Sequence, residues 1–550
     1  MTLLVDLFGY LAIIIHGVVI SAQSMAVGGV VFLVFLAQPR AWMLGPAGPA
    51  VLRDAVRLTL WGAVGLAAAE AARIALDGAV LTATLDLGLA KVLTADFALA
   101  GEVKIAAALL LAALLGMFGG RVPAAVLIGL AVVMLAAAAA TTHAAARLED
   151  REILLAVTTL HLLGAAIWIG GIPSFVAALA RVRERAGWRV VGERFSRLSM
   201  IGVGCILVSG AVMSWFYIGD LKGFYGTAYG VMVGAKVAMF LALLGLGFGN
   251  FLSVRHMSRD RTAPAGRLRG FAEAEIGIGF TVFFAAASLT SVPPAVDLTQ
   301  DRVSLTEIVE RNTPHMPRLV SPDHDSLTLP ALQAKLDAEA AAQAAKPAPA
   351  FVPGAGEIAP RNAEDIAWSE YNHHWSGLFV LAIGLLALLH RAGFGPAKHW
   401  PLVFLGLAAF LFVRSDPEVW PLGTIGFFES LRDVEVLQHR FFVVLIVVFG
   451  LFEWRVRAGG WQNRKAALVF PLVTAIGGAA LLTHSHAIAN VKEQLLVELS
   501  HTPLALAGIA AGWSRWLELR LEPPESRIAG WVWPACFVLV AAILLMYREA

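Results

Sequence analysis

Apolar runs of about twenty residues recur along nearly the whole chain, and each is long enough to cross the bilayer's hydrocarbon core as a helix. About fourteen can be marked, near 6–37, 56–77, 98–119, 122–143, 152–177, 196–218, 228–254, 270–292, 373–391, 399–413, 435–455, 466–483, 497–517 and 529–547. In lipid every backbone polar group must be satisfied within the protein, and continuous apolar runs without strand-like alternation select helices over barrels. The composition fits, with 58% hydrophobic and only 15% charged residues and a mean hydropathy of +0.73. The expected fold is all-α, a polytopic membrane bundle of about 14 transmembrane helices. A lipid bilayer is the expected surrounding, and no nucleic-acid partner is expected.

Cys205 and Cys536 stand alone in apolar runs, with no C-x-x-C, so neither a thiolate metal site nor a disulfide framework is indicated. The opening MTLLVDLFGYLAIIIHG has no positive leader or small-residue cleavage site, and reads as a retained first span. The segment 414–434 is too polar and too broken by Pro and Gly to span, and reads as a surface loop. Arginine-dense segments at 180–197 and 253–269 are expected on the cytoplasmic side. Counting from them puts the N-terminus in the periplasm, places 38–57, Arg121 and 453–465 inside, and leaves Asp77, Asp86, Asp96 and Asp220 outside.

On this threading the chain divides into an eight-helix domain at 1–295, a periplasmic Ala/Pro-rich linker at 296–372, and a six-helix domain at 373–550 (8 + 6). The first domain carries a weak internal echo: SMAVGGVVF (24–32) with IWIGGIPSF (167–175), and TADFALAGEVKI (94–105) with TAYGVMVGAKV (227–237). A 4+4 repeat would keep both halves in one orientation, although helix-packing glycines alone produce part of the likeness.

The threading gathers histidines in the outer half. His143 ends the fourth helix, His161 lies two to three turns into the fifth, and His16 lies in the outer or middle part of the first. His373 and His374 open the ninth helix, His439 begins the eleventh, His484 and His486 close the twelfth, and His501 begins the thirteenth. Imidazole is the commonest transition-metal ligand, and a polar group within hydrocarbon is costly unless it serves a function. A histidine at an interface is cheap, so single positions also admit a plain interfacial role, and the joint enrichment on one face carries the argument. Glu498 three residues before His501 and Glu435 four before His439 are expected to orient those rings or to serve the helix dipole. Thioether sulfur suits Cu(I), which adds Met213 and Met232, and PHMPRLVSPDHD (314–325) offers His315, Met316 and His324 as a capture segment. Lys104 and Lys236, at matching places in the echo, are expected to snorkel, and Glu70 and Glu275 to pair with Arg73 and Arg269.

LHLLGAAIWIGGIPSF (160–175) resembles the signature helix of the copper-resistance protein D (CopD) family, and so do TTHAA before it, ERFSRLSMIGVGCILVSG (193–210), GTAYGVMVGAKV (226–237) and LRGFAEAEIG…AASLTSVPPA (268–295). The likeness runs over roughly residues 1–295, and 373–547 resembles the extra membrane region of longer members. It implies a bacterial inner-membrane protein of copper homeostasis, thought to move copper inward or to support periplasmic copper handling. The family's histidines fall on His143 and His161, and its packing motif on Trp168, Gly170 and Gly171. Thr142 stands where the family often has Gly.

The expected function is therefore copper binding, as Cu(I) or Cu(II), and import through periplasmic-side histidines, without enzymatic activity, with a periplasmic copper-binding protein as a further partner. Without a Walker A sequence, transport would be passive, ion-coupled or partner-driven. The alternative is a b-type haem cytochrome or periplasmic-face metal reductase, with His374, His439, His484 or His486, and His501 as axial ligands.

Overall fold

The computed structural model describes residues 8–85, 87–182, 184–259, 266–299, 302–322, 363–417, 419–431, 434–461, 463–482 and 491–549. Helices occupy each apolar run. In the first part these are α1 (Phe8–Phe32), α2 (Gly48–Leu85), α3 (Asp96–Phe118), α4 (Ala124–Ala139), α5 (Arg151–Ala165), α6 (Ile172–Arg181), α7 (Arg185–Tyr217), α8 (Ala228–Arg259) and α9 (Gly266–Leu289). In the second they are α10 (Ala363–Arg391), α11 (Val403–Arg414), α12 (Val434–Arg457), α13 (Val469–Leu482), α14 (Val491–Arg520) and α15 (Glu525–Leu545). Among the described residues ten stretches are long and apolar enough to cross a membrane, the first being a 77-residue run that holds both α1 and α2. The helices at Ala124–Ala139 and Ala466–Leu482 are apolar but shorter. Among the described residues the extended pairing is limited to one bridge, Val419 to Ile425. Large apolar side chains such as Trp61, Val132, Val208, Leu241, Phe248 and Val444 face outward, as lipid contact requires.

Several boundaries differ from the sequence expectation. α10 begins ten residues before 373, so His373 and His374 lie inside a helix and do not open it. Polar residues with good helix propensity (AEDIAWSEYN) extend the helix beyond the apolar run. α2 likewise outruns its apolar stretch at both ends.

The two echoing segments pack directly on each other. α1 runs into a π-helical turn at Leu33–Ala37, and α5 is joined to α6 by another at Ala166–Gly170. A Cβ on Gly170 would stand 1.9 Å from the Ser24 carbonyl oxygen, and one on Gly28 would stand 2.2 Å from that of Ala166. Only glycine lets the backbones approach so closely, which is how small residues drive helix association in lipid. On the other side, a Cβ on Gly202 of α7 would stand 3.2 Å from both the Cβ and the backbone N of Trp168. The Trp168 backbone is thereby held between α1 and α7.

Ion pairs mark the two ends of the bundle. Arg181–Asp54 (2.5 Å), Arg267–Glu525 (3.0 Å) and Arg520–Glu273 (2.5 Å) tie the end that carries the arginine-rich loops. Arg147–Asp297 (2.9 Å) and Arg302–Asp220 (3.0 Å) tie the opposite end, where His143 lies. The second set of helices has its own aromatic core around Trp400, Phe470 and Trp533, and docks through α13 and α14 on α8 and α9. At that seam the Trp513 indole lies over Gly277, with no room for a side chain there.

Candidate functional site

A cavity of about 200 Å³ lies inside the first bundle toward the His143 end. It is walled mainly by apolar groups of α1, α4, α5, α7, α8 and α9, among them Val19, Ile169, Leu243 and Phe283. Into it come His16 from α1, His161 from α5, His143 from the short helix His143–Ala146, and Met213 from α7. Positions spread over nearly two hundred residues of sequence thus meet in one chamber, which Lys104, Lys236, Tyr217 and Tyr229 also line.

His161 is oriented by a relay. Its Nδ1 lies 3.0 Å from Ser209 Oγ, while that hydroxyl donates to the Cys205 carbonyl at 2.6 Å. The single Ser209 proton is committed to the helix backbone, so Oγ accepts and His161 Nδ1–H donates. The remaining nitrogen, Nε2, then carries the lone pair a metal needs, the usual way an outer partner fixes a ligating imidazole. His143 Nε2 is buried without a hydrogen-bond partner. Burial holds this imidazole below its ordinary range, and the Thr290 backbone beside it pulls the other way. The ring is therefore neutral at pH 7, with lone-pair capacity to spare.

The buried charges depart from expectation. Lys104 does not snorkel: it is 1% exposed and its Nζ lies 2.9 Å from Glu70 Oε2. Glu70 also takes Arg73 at 2.6 Å, as expected from sequence. The carboxylate is fully enclosed, so two cations hold what would otherwise be an unaffordable charge. Lys236 is directed to the cavity, and among the described residues it has no ion-pair partner. Glu275 does not pair with Arg269, which binds Glu273 at 2.9 Å. Its carboxylate instead accepts from Trp168 Nε1 at 3.2 Å and Asn250 Nδ2 at 2.5 Å.

The other singled-out residues lie elsewhere. Met232 is packed in the apolar cluster with Tyr217 and Tyr229, and Met316 is exposed. His315, His373, His374 and His501 gather around Tyr547 at the end of α15: His373 stacks on its ring at 3.8 Å, His501 approaches edge-on at 6.4 Å, and the His315 and His374 rings are 5.9 Å apart. His374 accepts from the Arg318 backbone N–H at Nδ1 (2.7 Å), so Nε2 bears the proton and donates to the Tyr547 carbonyl (3.0 Å). Both nitrogens are used, which leaves no lone pair for copper or haem iron. His439 Nδ1 is 2.6 Å from Asp416 Oδ1. Glu498 is buried and accepts from Thr502 at 2.9 Å. His324, His484, His486 and the Glu435 side chain lie outside the described residues. Among the described residues no cluster of three or more His, Cys, Asp or Glu stands close enough to hold a metal ion. The chamber offers spaced donors, not a closed cage.

Residues 189–289, from α7 through α9, match the family model for copper resistance protein D. Over this stretch the chain is similar to the CopD family. Over 170 residues it is 32% identical to the Copper transport protein CutJ of Bacillus subtilis (strain 168), a stretch that covers 30% of this chain and 30% of that protein. The chain thus spans less than a third of the length of the curated relative it matches. No solved structure matches it significantly. This likeness and the many long apolar helices point to a multi-pass membrane protein, with helical regions on both sides of the matched stretch. The matched range is narrower than the 1–295 expected from motifs. It includes Ser209, Met213, Lys236, Asn250 and Glu275, and leaves His16, His143 and His161 outside.

Proposed function

We propose that this CopD-family protein moves copper across a bacterial inner membrane, taking it from the periplasm at the chamber lined by His16, His143, His161 and Met213. The observation that carries this reading is the convergence of these soft and borderline donors in one buried chamber, with His161 Nε2 freed by Ser209. Imidazole and thioether suit copper better than hard cations. Spaced donors suit transit, since an ion that is to leave must not be caged. The arginine-rich end faces the cytoplasm by the positive-inside rule, so the chamber opens on the periplasmic half and the direction is inward. Helices α1 to α9, eight spans with α5 and α6 counted as one, form the transport domain and the six that follow brace it. A periplasmic copper-binding protein is the natural donor, and the chain is a carrier, not an enzyme. Copper resistance and transport are what the matched family and CutJ are named for.

The test is copper entry into proteoliposomes holding a copper-responsive dye. Wild-type protein should admit copper and the H143A/H161A variant should not, while H256A should behave as wild type. Equal entry in all three contradicts the reading.

A further inference from the structure

A second cavity, of about 320 Å³, lies on the arginine-rich side of the histidine chamber. Trp168 lines both, so one indole, 2% exposed and set edge-on to Phe240, separates them. It sits in the π-helical turn at Ala166–Gly170, and such turns recur at functional sites. The walls of the second cavity are mostly apolar and aromatic, including Phe175, Phe195 and Phe251, but four oxygen-bearing side chains line it, Glu275, Asn250, Ser199 and Ser196.

Glu275 is 3% exposed, and among the described residues no lysine, arginine or histidine lines its cavity. Facing it from α5–α6, α7 and α8 are Trp168, Ser199 and Asn250, none of which titrates in the ordinary range. The nearest charges on its own helix, Arg269 and Glu273, are bound to each other, and Arg520 is also taken by Glu273. An ionised carboxylate so placed costs several kcal/mol unless a positive charge joins it. Two neighbours have capacity to spare. Asn250, 8% exposed, has Oδ1 buried and unpartnered, and so is Ser199 Oγ. The Asn250 amide serves either state: Nδ2 donates to a carboxylate, and turned over, Oδ1 accepts from a carboxylic acid.

We propose that Glu275, Asn250 and Ser199 form a second station, an oxygen-lined site for an exchangeable hard monovalent cation, the proton included, parted from the histidine chamber by Trp168. Oxygen donors disfavour Cu(I), so this station supplies the ion-coupling partner and not a further copper site. Its place on a transport route rests on the function proposed above; the site itself does not.

Infrared difference spectra of the full chain in lipid nanodiscs, without copper, test it. Wild type should show a carboxylic-acid C=O band that E275Q lacks and E275D shifts. Response of that band to bath pH alone identifies a proton site, and its loss on adding Na+ or K+ at fixed pH identifies an alkali-cation site. A band common to wild type and E275Q, or one indifferent to pH and to both ions, overturns the proposal. Copper content of E275Q should equal that of wild type, so absence of copper from both would fault the copper reading and leave the infrared result standing.

Discussion

His161 Nδ1 and Ser209 Oγ stand 3.0 Å apart, and the Ser209 proton is already given to the Cys205 carbonyl. One hydroxyl on a neighbouring helix thus decides which face of the imidazole is free. Removing it in S209A should weaken copper binding about 10- to 100-fold, the usual loss when an outer partner of a metal-binding histidine is deleted. S209T should keep most of the affinity. Competition with a chromophoric chelator measures both, and an unchanged S209A affinity would dissociate the relay from the metal.

The Lys104–Glu70 pair lies within the bundle and is shielded from water. K104M strips one cation from a buried carboxylate and should cost about 3 kcal/mol, the low end for breaking a buried pair, because Arg73 remains. The double variant E70Q/K104M should recover much of that loss. Thermal melts in detergent report the order: wild type, then the double variant, then K104M.

Gly170 has no room for a methyl group beside the Ser24 carbonyl oxygen, 1.9 Å from the position a Cβ would take. G170A must push α1 away from the π-helical turn, open both cavities and lower the yield of monodisperse protein. G129A, at a glycine whose Cβ would meet nothing within 4 Å, is the control and should purify as wild type.

Burial lowers the His143 imidazole from its ordinary 6.5. A group depressed in the folded state stays neutral there while the unfolded chain begins to protonate. Its contribution to stability is therefore full above 6.5 and declines as pH falls below that value. Copper retention should stay flat down to about pH 6.5 and fall only further into acid. Equilibrium dialysis across pH 5 to 8 checks this, and a midpoint at or above 6.5 would mean that His143 is solvated.

Much of this was legible from pattern. Runs of apolar residues give helices because lipid leaves the backbone no other way to be satisfied. The glycines of IWIGGIPSF read as packing residues, and they are. Depth along the helices placed His16, His143 and His161 in the outer half, but that these three line one cavity was not readable from depth. Pairing across helices was not legible, because it depends on rotation about that axis. Lys104 looked like a snorkelling lysine until α2 turned Glu70 toward it. Glu275 looked like the partner of Arg269, six residues away, but the helix aims it at Trp168 and Asn250. His374 looked like a ligand, and only the return of Tyr547 showed its nitrogens to be spent. Ser209 gave no signal at all, being one serine in an apolar helix.

The central claim is that three histidines distant in sequence line one chamber through which copper passes. Copper per protein, counted by plasma mass spectrometry after purification in copper-containing buffer, tests it most directly. The account predicts bound copper in wild type, a loss in each of H16A, H143A and H161A, and full retention in H374A. Copper that survives all three single losses, or that leaves with H374A, would contradict it.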